Sequence, residues 1–155
     1  MKTSKVKQRQ IRLEGAGKKA VVTQFGALCY RKRDGALQIL LVTGRRSGKW
    51  GIPKGWPKDN ATPAQTAAAE AFEEAGAEGR ISPLCLGIYT DTKRLGGRRQ
   101  PVVIAVYPMK VKRLHAIYPE RGQRKRRWMS RKRAAASVAN PELRQLIRGF
   151  APGGG

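Results

Sequence analysis

One short alanine-rich segment constrains the fold most, because it carries the signals for both ends of an α-helix. Thr62 can cap the amino end, Pro63 suits the first helical position, and Gln65 stands where the partner of a capping box belongs. Residues 64–75 are strong helix formers, and Gly76 can end the helix in the left-handed conformation. The sequence therefore predicts one well-defined helix, with strand-like sequence on both sides.

This helix also carries a concentration of negative charge. Four of the chain's 10 acidic residues fall close together there, namely Glu70, Glu73, Glu74 and Glu78. Spacings of three and four residues put the first three on one helical face, where like charges repel one another. A positive partner should offset this repulsion, and a set of oxygen-only ligands indicates Mg²⁺, Mn²⁺ or Ca²⁺.

The remainder of the chain is strongly basic, with 33 Lys and Arg residues and a formal net charge of +23. Such a charge predicts anionic partners, among them nucleotides, polyphosphates and nucleic acid. The sequence has no apolar window of the roughly 18 residues that a membrane-spanning helix needs. The basic amino-terminal segment also lacks an amphipathic apolar face, so we expect no membrane partner.

The length of 155 residues predicts a single domain, which we place at residues 19–150. Residues 1–18 are expected to form a flexible basic arm, and residues 151–155 a disordered tail. Cys29 and Cys85 lie in apolar, strand-like contexts that are typical of buried free thiols in a reducing compartment. Without the apolar stretch of a secretory signal, the chain is expected to be cytoplasmic.

Strand-like and helical segments follow one another in an irregular order. Strands are predicted at 20–30, 37–43, 81–92 and 101–112, with a turn at Asp34-Gly35 and two short helices capped by Ser130 and Asn140. Residues 113–127 read as a loop. This order fits an α/β (α+β) sandwich with a mixed β-sheet between helices, rather than a doubly wound parallel sheet.

The segment from Gly55 to Ala77 resembles the Nudix box. That pattern is a glycine, five residues, a glutamate, seven residues, and then Arg-Glu-apolar-any-Glu-Glu-any-Gly-apolar. The matching positions are Gly55, Glu70, Ala71, Glu73, Glu74, Gly76 and Ala77. Residues 50–57 and the segment that begins at residue 127 are further similar to the diphosphoinositol polyphosphate phosphohydrolase branch, so the resemblance spans roughly residues 20–150.

The resemblance implies a Nudix-type α/β/α sandwich and a metal-dependent hydrolase of phosphoanhydride bonds. By position, Glu70, Glu73 and Glu74 are the implied metal ligands and catalytic carboxylates, with Mg²⁺ or Mn²⁺ as the cofactor. The backbone near Gly55 would complete the metal coordination. Members of the family often use a further glutamate from a later loop, and Glu120 is our candidate for that catalytic carboxylate.

Two positions depart from the box. Ala61 stands where the first glutamate belongs, and Ala69 stands where the arginine belongs. In the family this arginine pairs with a glutamate and holds its conformation, so Ala69 leaves Glu70 without that restraint. Either another cation replaces the arginine, or catalysis is slower, which leaves both an active and a weakened enzyme open.

Several basic residues are candidates for binding the phosphates of a substrate: Lys54, Arg31, Arg33 and Arg45. Residues 121–133 also contain eight Lys or Arg and no acidic residue. This segment is interpreted either as a solvated surface or as a platform for substrate phosphates or RNA. Trp50 and Trp56 are expected either to stack on a base or to pack beneath the neighbouring loop.

The leading hypothesis is hydrolysis of a highly anionic small molecule that contains polyphosphate. Candidate substrates are a diphosphoinositol polyphosphate, a dinucleoside polyphosphate, or a nucleoside diphosphate linked to a variable group. The alternatives are a catalytically weakened Nudix-fold module that binds RNA or a nucleotide, and an RNA 5′-end pyrophosphohydrolase. Either a monomer or a homodimer is compatible with the sequence.

Overall fold

The computed structural model describes residues 11–12 and 20–153. These residues form nine strands and three helices. In chain order they are β1 Ile11–Arg12, β2 Ala20–Arg33, β3 Ala36–Thr43, β4 Trp50–Gly51, β5 Lys54–Gly55, α1 Pro63–Ala75, β6 Ala77–Ile81, β7 Gly87–Leu95, β8 Arg98–Leu114, β9 Arg126–Ser130, α2 Arg131–Ser137 and α3 Pro141–Arg148. The prediction of a mixed α and β fold is confirmed.

The sheet is mixed. Its central path runs β4-β3-β2-β8-β6, while β1 and β5 pair with β2, β7 pairs with β8, and β9 pairs with β3. β2 and β8 are parallel, whereas β2 and β3 form an antiparallel hairpin. The hairpin turns at Asp34 and Gly35, whose φ angles of 52° and 77° are those that the predicted Asp-Gly turn requires.

Each face of the sheet has its own apolar core. Alternate residues of β2 point to opposite faces, so Ala27 and Cys29 pack beneath α1 while Leu28 packs beneath α2 and α3. The helix α1 contributes only small apolar side chains to its core, namely Ala64, Ala67, Ala71 and Ala75. The small side chains let the backbone of α1 approach the sheet closely, which brings its polar residues near the ends of the strands.

The predicted ends of α1 are confirmed in detail. Thr62 accepts a hydrogen bond from the backbone N–H of Gln65, and the Gln65 side chain accepts one from the backbone of Thr62. Gly76 ends the helix at a φ of 66°. A Cβ at this position would come within 2.6 Å of the Tyr118 ring and 2.8 Å of the His115 carbonyl oxygen, so only glycine fits.

Two parts of the secondary-structure prediction are wrong. The strand predicted at 81–92 is divided into β6 and β7 by residues 82–86, and the carboxyl end of the predicted loop 113–127 belongs to β9. In β9, Trp128 packs on the α1 side of the sheet and Met129 on the other side. The sequence pattern does not predict this strand because arginines surround these two residues. A long basic side chain does not indicate which face of a sheet it lies on.

The predictions for the two chain ends are tested only in part. Residues 1–10, 13–19 and 154–155 lie outside the described residues, so the flexible arm and the disordered tail stay predictions. Within the predicted arm, Ile11 and Arg12 pair with β2. No helix in the described part of the chain is both long and apolar enough to cross a bilayer.

Candidate functional site

The helix α1 carries its three glutamates at the edge of the sheet. Glu70 and Glu74 are buried, with 8% and 5% of their surface exposed, and Glu73 is half-exposed beside them. Burial of a carboxylate is unfavourable unless a hydrogen bond or a positive charge compensates for it. The contacts of these three residues therefore decide what the site can do.

Lys58, from the loop between β5 and α1, is the nearest cation to two of the glutamates. Its Nζ lies 2.9 Å from Oε1 of Glu70 and 3.3 Å from Oε1 of Glu73. Although partial burial opposes it, contact with the two glutamates raises the pKa of Lys58 above its ordinary value. Lys58 thus makes the ion pair with Glu70 that an arginine at position 69 would make in the family pattern.

Gly55 lies directly against the Glu70 carboxyl group. A Cβ at this position would overlap that carboxyl group, so a residue with a side chain would displace it. β5 pairs with β2 through Gly55 and Phe25, and this pairing fixes the backbone in place. The close approach explains the glycine and brings the β5 backbone beside α1, while a contribution of this backbone to metal binding stays a prediction.

Glu74 is the most deeply enclosed of the three carboxyl groups. Burial raises its pKa to about 8, with a further contribution from the hydrogen bond and charge of Glu70, while Arg124 and Lys54 act in the opposite direction. Beneath it, burial and the nearby Glu74 raise the pKa of the Cys29 thiol to about 12. A cation bound beside this pair would therefore favour the charged form of Glu74.

Glu120 lies beside the carboxyl half of α1. Its backbone N–H donates to the carbonyl oxygen of Glu73 at 2.9 Å. Its side chain lies 3.0 Å from Nε of Arg124 and 3.7 Å from Nε of Arg45, and Nη1 of Arg124 lies 3.6 Å from Oε1 of Glu74. Arg124 thus joins the candidate late-loop carboxylate to the helix, while the catalytic role of Glu120 stays a prediction.

A cleft of about 490 Å³ opens beside this cluster, between the β3–β4 loop, β7 and the start of α3. Its polar and aromatic border includes Lys49, Trp50, Lys54, Asp91, Arg124 and Asn140. Lys54 and Arg124 belong both to the cleft and to the surroundings of Glu74. The carboxyl cluster and the cleft are therefore contiguous, which is the arrangement that a hydrolytic site needs.

The other predicted phosphate-binding residues are distributed unevenly. Arg45 is brought to the cluster through its ion pair with Glu120. The Nε of Arg31 donates to Oε1 of Gln38 at 2.8 Å, and its guanidinium lies 4.1 Å from the centre of the Trp128 ring. Arg33 is exposed at the end of β2. Among the described residues, no ion pair or hydrogen bond joins Arg31 or Arg33 to the glutamates, so their roles stay predictions.

The basic segment 121–133 contains two residues whose roles the sequence analysis missed, Arg124 and Arg126. The Nη1 of Arg126 donates to the carbonyl oxygens of Ala75 and His115 at 2.7 Å each. Its guanidinium also lies 4.7 Å from the centre of the Tyr118 ring. A cation at the carboxyl end of a helix stabilises that end, so Arg126 fixes α1 in place. Nothing in the sequence distinguishes it from the arginines around it.

The oxygen donors of the cluster fit a hard divalent cation. The three glutamates and the backbone carbonyl groups near Gly55 supply only oxygen, and two of the carboxyl groups, Glu70 and Glu74, are buried beside each other. Within residues 11–12 and 20–153, however, no three His, Cys, Asp or Glu side chains already surround a common point. The ammonium group of Lys58 stands between Glu70 and Glu73, so a metal ion fits here once that group has moved.

Comparison with known proteins gives a family and a fold. The NUDIX domain model matches residues 22–150. The chain is 31% identical over 110 residues to Nudix hydrolase 13, mitochondrial, of Arabidopsis thaliana, covering 65% of this chain and 53% of that protein. It is 28% identical over 146 residues to Nudix hydrolase 21, chloroplastic, of the same plant, covering 90% and 69%. The chain spans about half the length of the first of these relatives.

Solved structures agree on the fold. The crystal structure of the C. elegans Ap4A hydrolase superimposes with a TM-score of 0.60 at 22% identity, covering 83% of this chain and 94% of that one. The NUDIX domain of Shewanella oneidensis NrtR complexed with ADP ribose superimposes with a TM-score of 0.64 at 17% identity, covering 88% and 90%. At these identities the likeness is one of fold alone.

The prediction of a cytoplasmic location is wrong on these findings. The matching relatives are named as mitochondrial or chloroplastic hydrolases, which conflicts with an assignment to the cytoplasm. The narrower resemblance to the diphosphoinositol polyphosphate phosphohydrolase branch stays a prediction.

Proposed function

The chain belongs to the Nudix family, and from this premise we propose that it is a metal-dependent hydrolase of a phosphoanhydride bond in an anionic small molecule. The observation that carries the proposal is that Lys54 and Arg124, which line the cleft, also lie near the buried pair Glu70 and Glu74. Carboxylates for a cation thus adjoin cations for phosphates at the edge of the cleft. This combination favours a substrate whose own charge must be neutralised before water can attack it.

Each residue has a distinct task in this proposal. Glu70, Glu73 and Glu74 would hold Mg²⁺ or Mn²⁺, which supplies charge neutralisation on the phosphates and a lower pKa for the attacking water. Lys54 and Arg124 orient the phosphate chain from the cleft side. Glu120, held by Arg124 beside the helix, accepts the proton of that water.

The walls of the cleft favour a nucleotide over a phosphorylated inositol. Trp50 offers an aromatic surface, while Asp91 offers a carboxylate. A ring that bears several phosphates would be repelled by Asp91, whereas the amino and hydroxyl groups of a nucleoside can donate to it. We therefore favour a dinucleoside polyphosphate, or a nucleoside diphosphate linked to another group, as the substrate. The Ap4A hydrolase and the ADP-ribose complex among the structures of similar fold support this choice.

A panel of substrates tests the proposal. Diadenosine tetraphosphate, ADP-ribose and a diphosphoinositol polyphosphate are incubated with the protein and Mg²⁺ or Mn²⁺, and the products are separated by ion-exchange chromatography. We expect the two nucleotides to be cleaved faster than the inositol compound, and cleavage to stop when EDTA removes the metal. Equal rates for wild type and Glu74→Gln would show that the activity is not that of this site.

A non-catalytic binding module is the second candidate, and specific observations favour it. Ala61 and Ala69 depart from the box, and the Lys58 ammonium stands between two of the glutamates. Each of these changes would weaken a metal site without closing the cleft. Tight binding of RNA or a nucleotide by calorimetry, with no turnover in Mg²⁺ or Mn²⁺, would favour this function. Release of pyrophosphate from 5′-triphosphorylated RNA would instead favour an RNA 5′-end pyrophosphohydrolase.

A further inference from the structure

We propose that Lys58 is a built-in cation that holds Glu70 and Glu73 in the metal-free protein, and that it moves onto the substrate phosphates when a divalent metal ion binds. The inference rests on the proposed function, because it requires that the glutamates bind metal. It assigns to one residue both the restraint that the box arginine would give and a contact with the substrate. Lys58 becomes a positioning residue before metal binds and a phosphate-binding residue afterwards.

The positions of Lys58 and of the two carboxyl groups support the first half of the proposal. In the described part of the chain, the ion pairs of Glu70 and of Glu73 are both with Lys58. Its Nζ lies about equally far from one oxygen of each carboxyl group, at 2.9 and 3.3 Å, which is the position of a cation shared by two carboxylates. The residue before Glu70 on α1 is Ala69, so the helix itself supplies no positive side chain beside Glu70.

A metal ion and the Lys58 ammonium group compete for these two carboxyl groups. Mg²⁺ approaches carboxylate oxygens to about 2.0–2.1 Å, and an ammonium group hydrogen-bonded to the same oxygens would be repelled at that distance. Lys58 lies on a loop with 35% of its side chain exposed, and its ammonium group is carried on a flexible four-carbon stem. It can therefore leave the carboxylates without any movement of α1.

The released ammonium group has a natural acceptor. Lys58 is three residues from Gly55, whose backbone adjoins Glu70, so its reach is limited to the surroundings of the metal site. The phosphate oxygens of a substrate bound through the same metal ions would lie within that reach. A metal ion and a substrate thus replace one ion pair of Lys58 with another, which couples the two binding events.

A comparison of three proteins tests the first half. Free Mn²⁺ is measured by electron paramagnetic resonance during titration of wild type, Lys58→Met and Lys132→Met. Lys132 is exposed on α2 and makes no ion pair in the part of the chain that the structure describes. Lys132→Met therefore removes the same positive charge as Lys58→Met without breaking an ion pair. We expect Lys58→Met to bind Mn²⁺ about tenfold more tightly than wild type, and Lys132→Met to stay within about twofold.

A second measurement uses the metal-free protein. In EDTA, Lys58→Met should unfold about 3 °C below wild type, because the repulsion between Glu70 and Glu73 is no longer offset. Lys132→Met should unfold at the wild-type temperature. Lys58→Arg keeps a cation between the carboxylates and should bind Mn²⁺ no more tightly than wild type. This variant keeps the test valid if Lys58→Met does not fold.

A third measurement addresses the phosphates. Methylenediphosphonate, which cannot be hydrolysed, is titrated at saturating Mn²⁺, and Lys58→Met should bind it about fivefold more weakly than wild type. Unchanged or weaker Mn²⁺ binding by Lys58→Met, or unchanged diphosphonate binding, would overturn the inference while leaving the proposed function intact. Failure of all the proteins to bind Mn²⁺ would overturn the metal-dependent function as well.

Discussion

The two helical layers of this protein are stabilised in different ways. α3 buries the large apolar side chains of Leu143 and Ile147, and the amino ends of α2 and α3 are capped by the residues that precede them, Ser130 and Asn140. α1 buries alanines together with two carboxyl groups. Alanine removes little apolar surface from water, so the hydrophobic contribution of α1 is small by comparison.

α1 is instead held by cations that other parts of the chain supply. Lys58 contacts it from the loop that precedes it, Arg124 contacts Glu74, and Arg126 contacts its carboxyl end. The helix that carries the chemistry therefore depends on ion pairs between its carboxyl groups and cations from other segments. The opposite layer instead combines apolar packing with hydrogen bonds from Arg131 and Arg144 to backbone carbonyl oxygens. Substitution of the cations around α1 should therefore affect the first layer more than substitution of an exposed cation such as Arg133 affects the second.

The largest expected effect is on turnover. Glu73→Gln and Glu74→Gln should each lower the rate of phosphoanhydride hydrolysis by more than about 100-fold, because a neutral amide binds a metal ion poorly. Since Glu74 is buried in a site that disfavours its charge, Glu74→Gln should leave the midpoint of thermal unfolding in EDTA unchanged or higher. Glu142→Gln, on α3, should leave turnover unchanged. A matching loss of rate in the α3 variant would abolish the distinction between the layers.

The next effect is on stability. Arg126→Met removes a cation that donates to two carbonyl oxygens at the end of α1, and we expect the free energy of unfolding to fall by about 2 kcal/mol. Arg133→Met, at an exposed position on α2, should change it by less than about 0.5 kcal/mol. Urea denaturation followed by circular dichroism measures both. Equal losses would mean that the basic segment acts as one undivided surface.

The sequence predicts features of α1 that depend on neighbouring residues. The cap at Thr62, the partner Gln65 and the left-handed Gly76 all follow from local backbone geometry, and the structure has all three. The predicted face of glutamates is also present, although Glu73 lies at its exposed margin. Residues three or four apart on a helix must lie close together, whatever the remainder of the fold does.

The sequence does not predict which cations reach α1. Residues 121–133 read as one basic run, yet Arg124 and Arg126 turn inward while others, such as Arg127 and Lys132, stay exposed. That division depends on the pairing of β9 with β3, which joins residues far apart in the chain. The role of Lys58 is equally hidden, because it depends on how the loop before α1 is positioned by β5.

A third prediction concerns the packing of α1 against β5. Gly55→Ala adds a methyl group in the space of the Glu70 carboxyl group, which is the mobile end of its side chain and can move away. The free energy of unfolding should therefore change by less than about 1 kcal/mol, while affinity for Mn²⁺ should fall about tenfold. Gly51→Ala, whose methyl group meets no atom within 4 Å, is the control for stability. Unchanged Mn²⁺ affinity in Gly55→Ala would separate Glu70 from the metal site.

The smallest expected effect lies in the opposite layer and depends on pH. Oε1 of Glu142, in the first turn of α3, accepts hydrogen bonds from the backbone N–H of Thr90 at 2.9 Å and from the Thr90 hydroxyl. These bonds lower the pKa of Glu142 below its ordinary value of 4.5. Because the pKa is lower in the folded state, the ionised carboxylate stabilises the fold at pH values above the ordinary pKa. That stabilisation is lost as the pH falls through the lowered pKa of the folded state.

Wild type should accordingly unfold about 2 °C above Glu142→Gln at pH 7, and the difference should shrink as the pH falls towards 3. Differential scanning calorimetry at several pH values measures it. Thr90→Val removes the hydroxyl donor and keeps the backbone N–H donor, so the difference between Thr90→Val and Thr90→Val with Glu142→Gln should be smaller than that between wild type and Glu142→Gln. An equal difference in the two pairs would show that the hydroxyl hydrogen bond does not contribute to it. A difference that persists unchanged at pH 3 would show that the charge of Glu142 plays no part in joining α3 to β7.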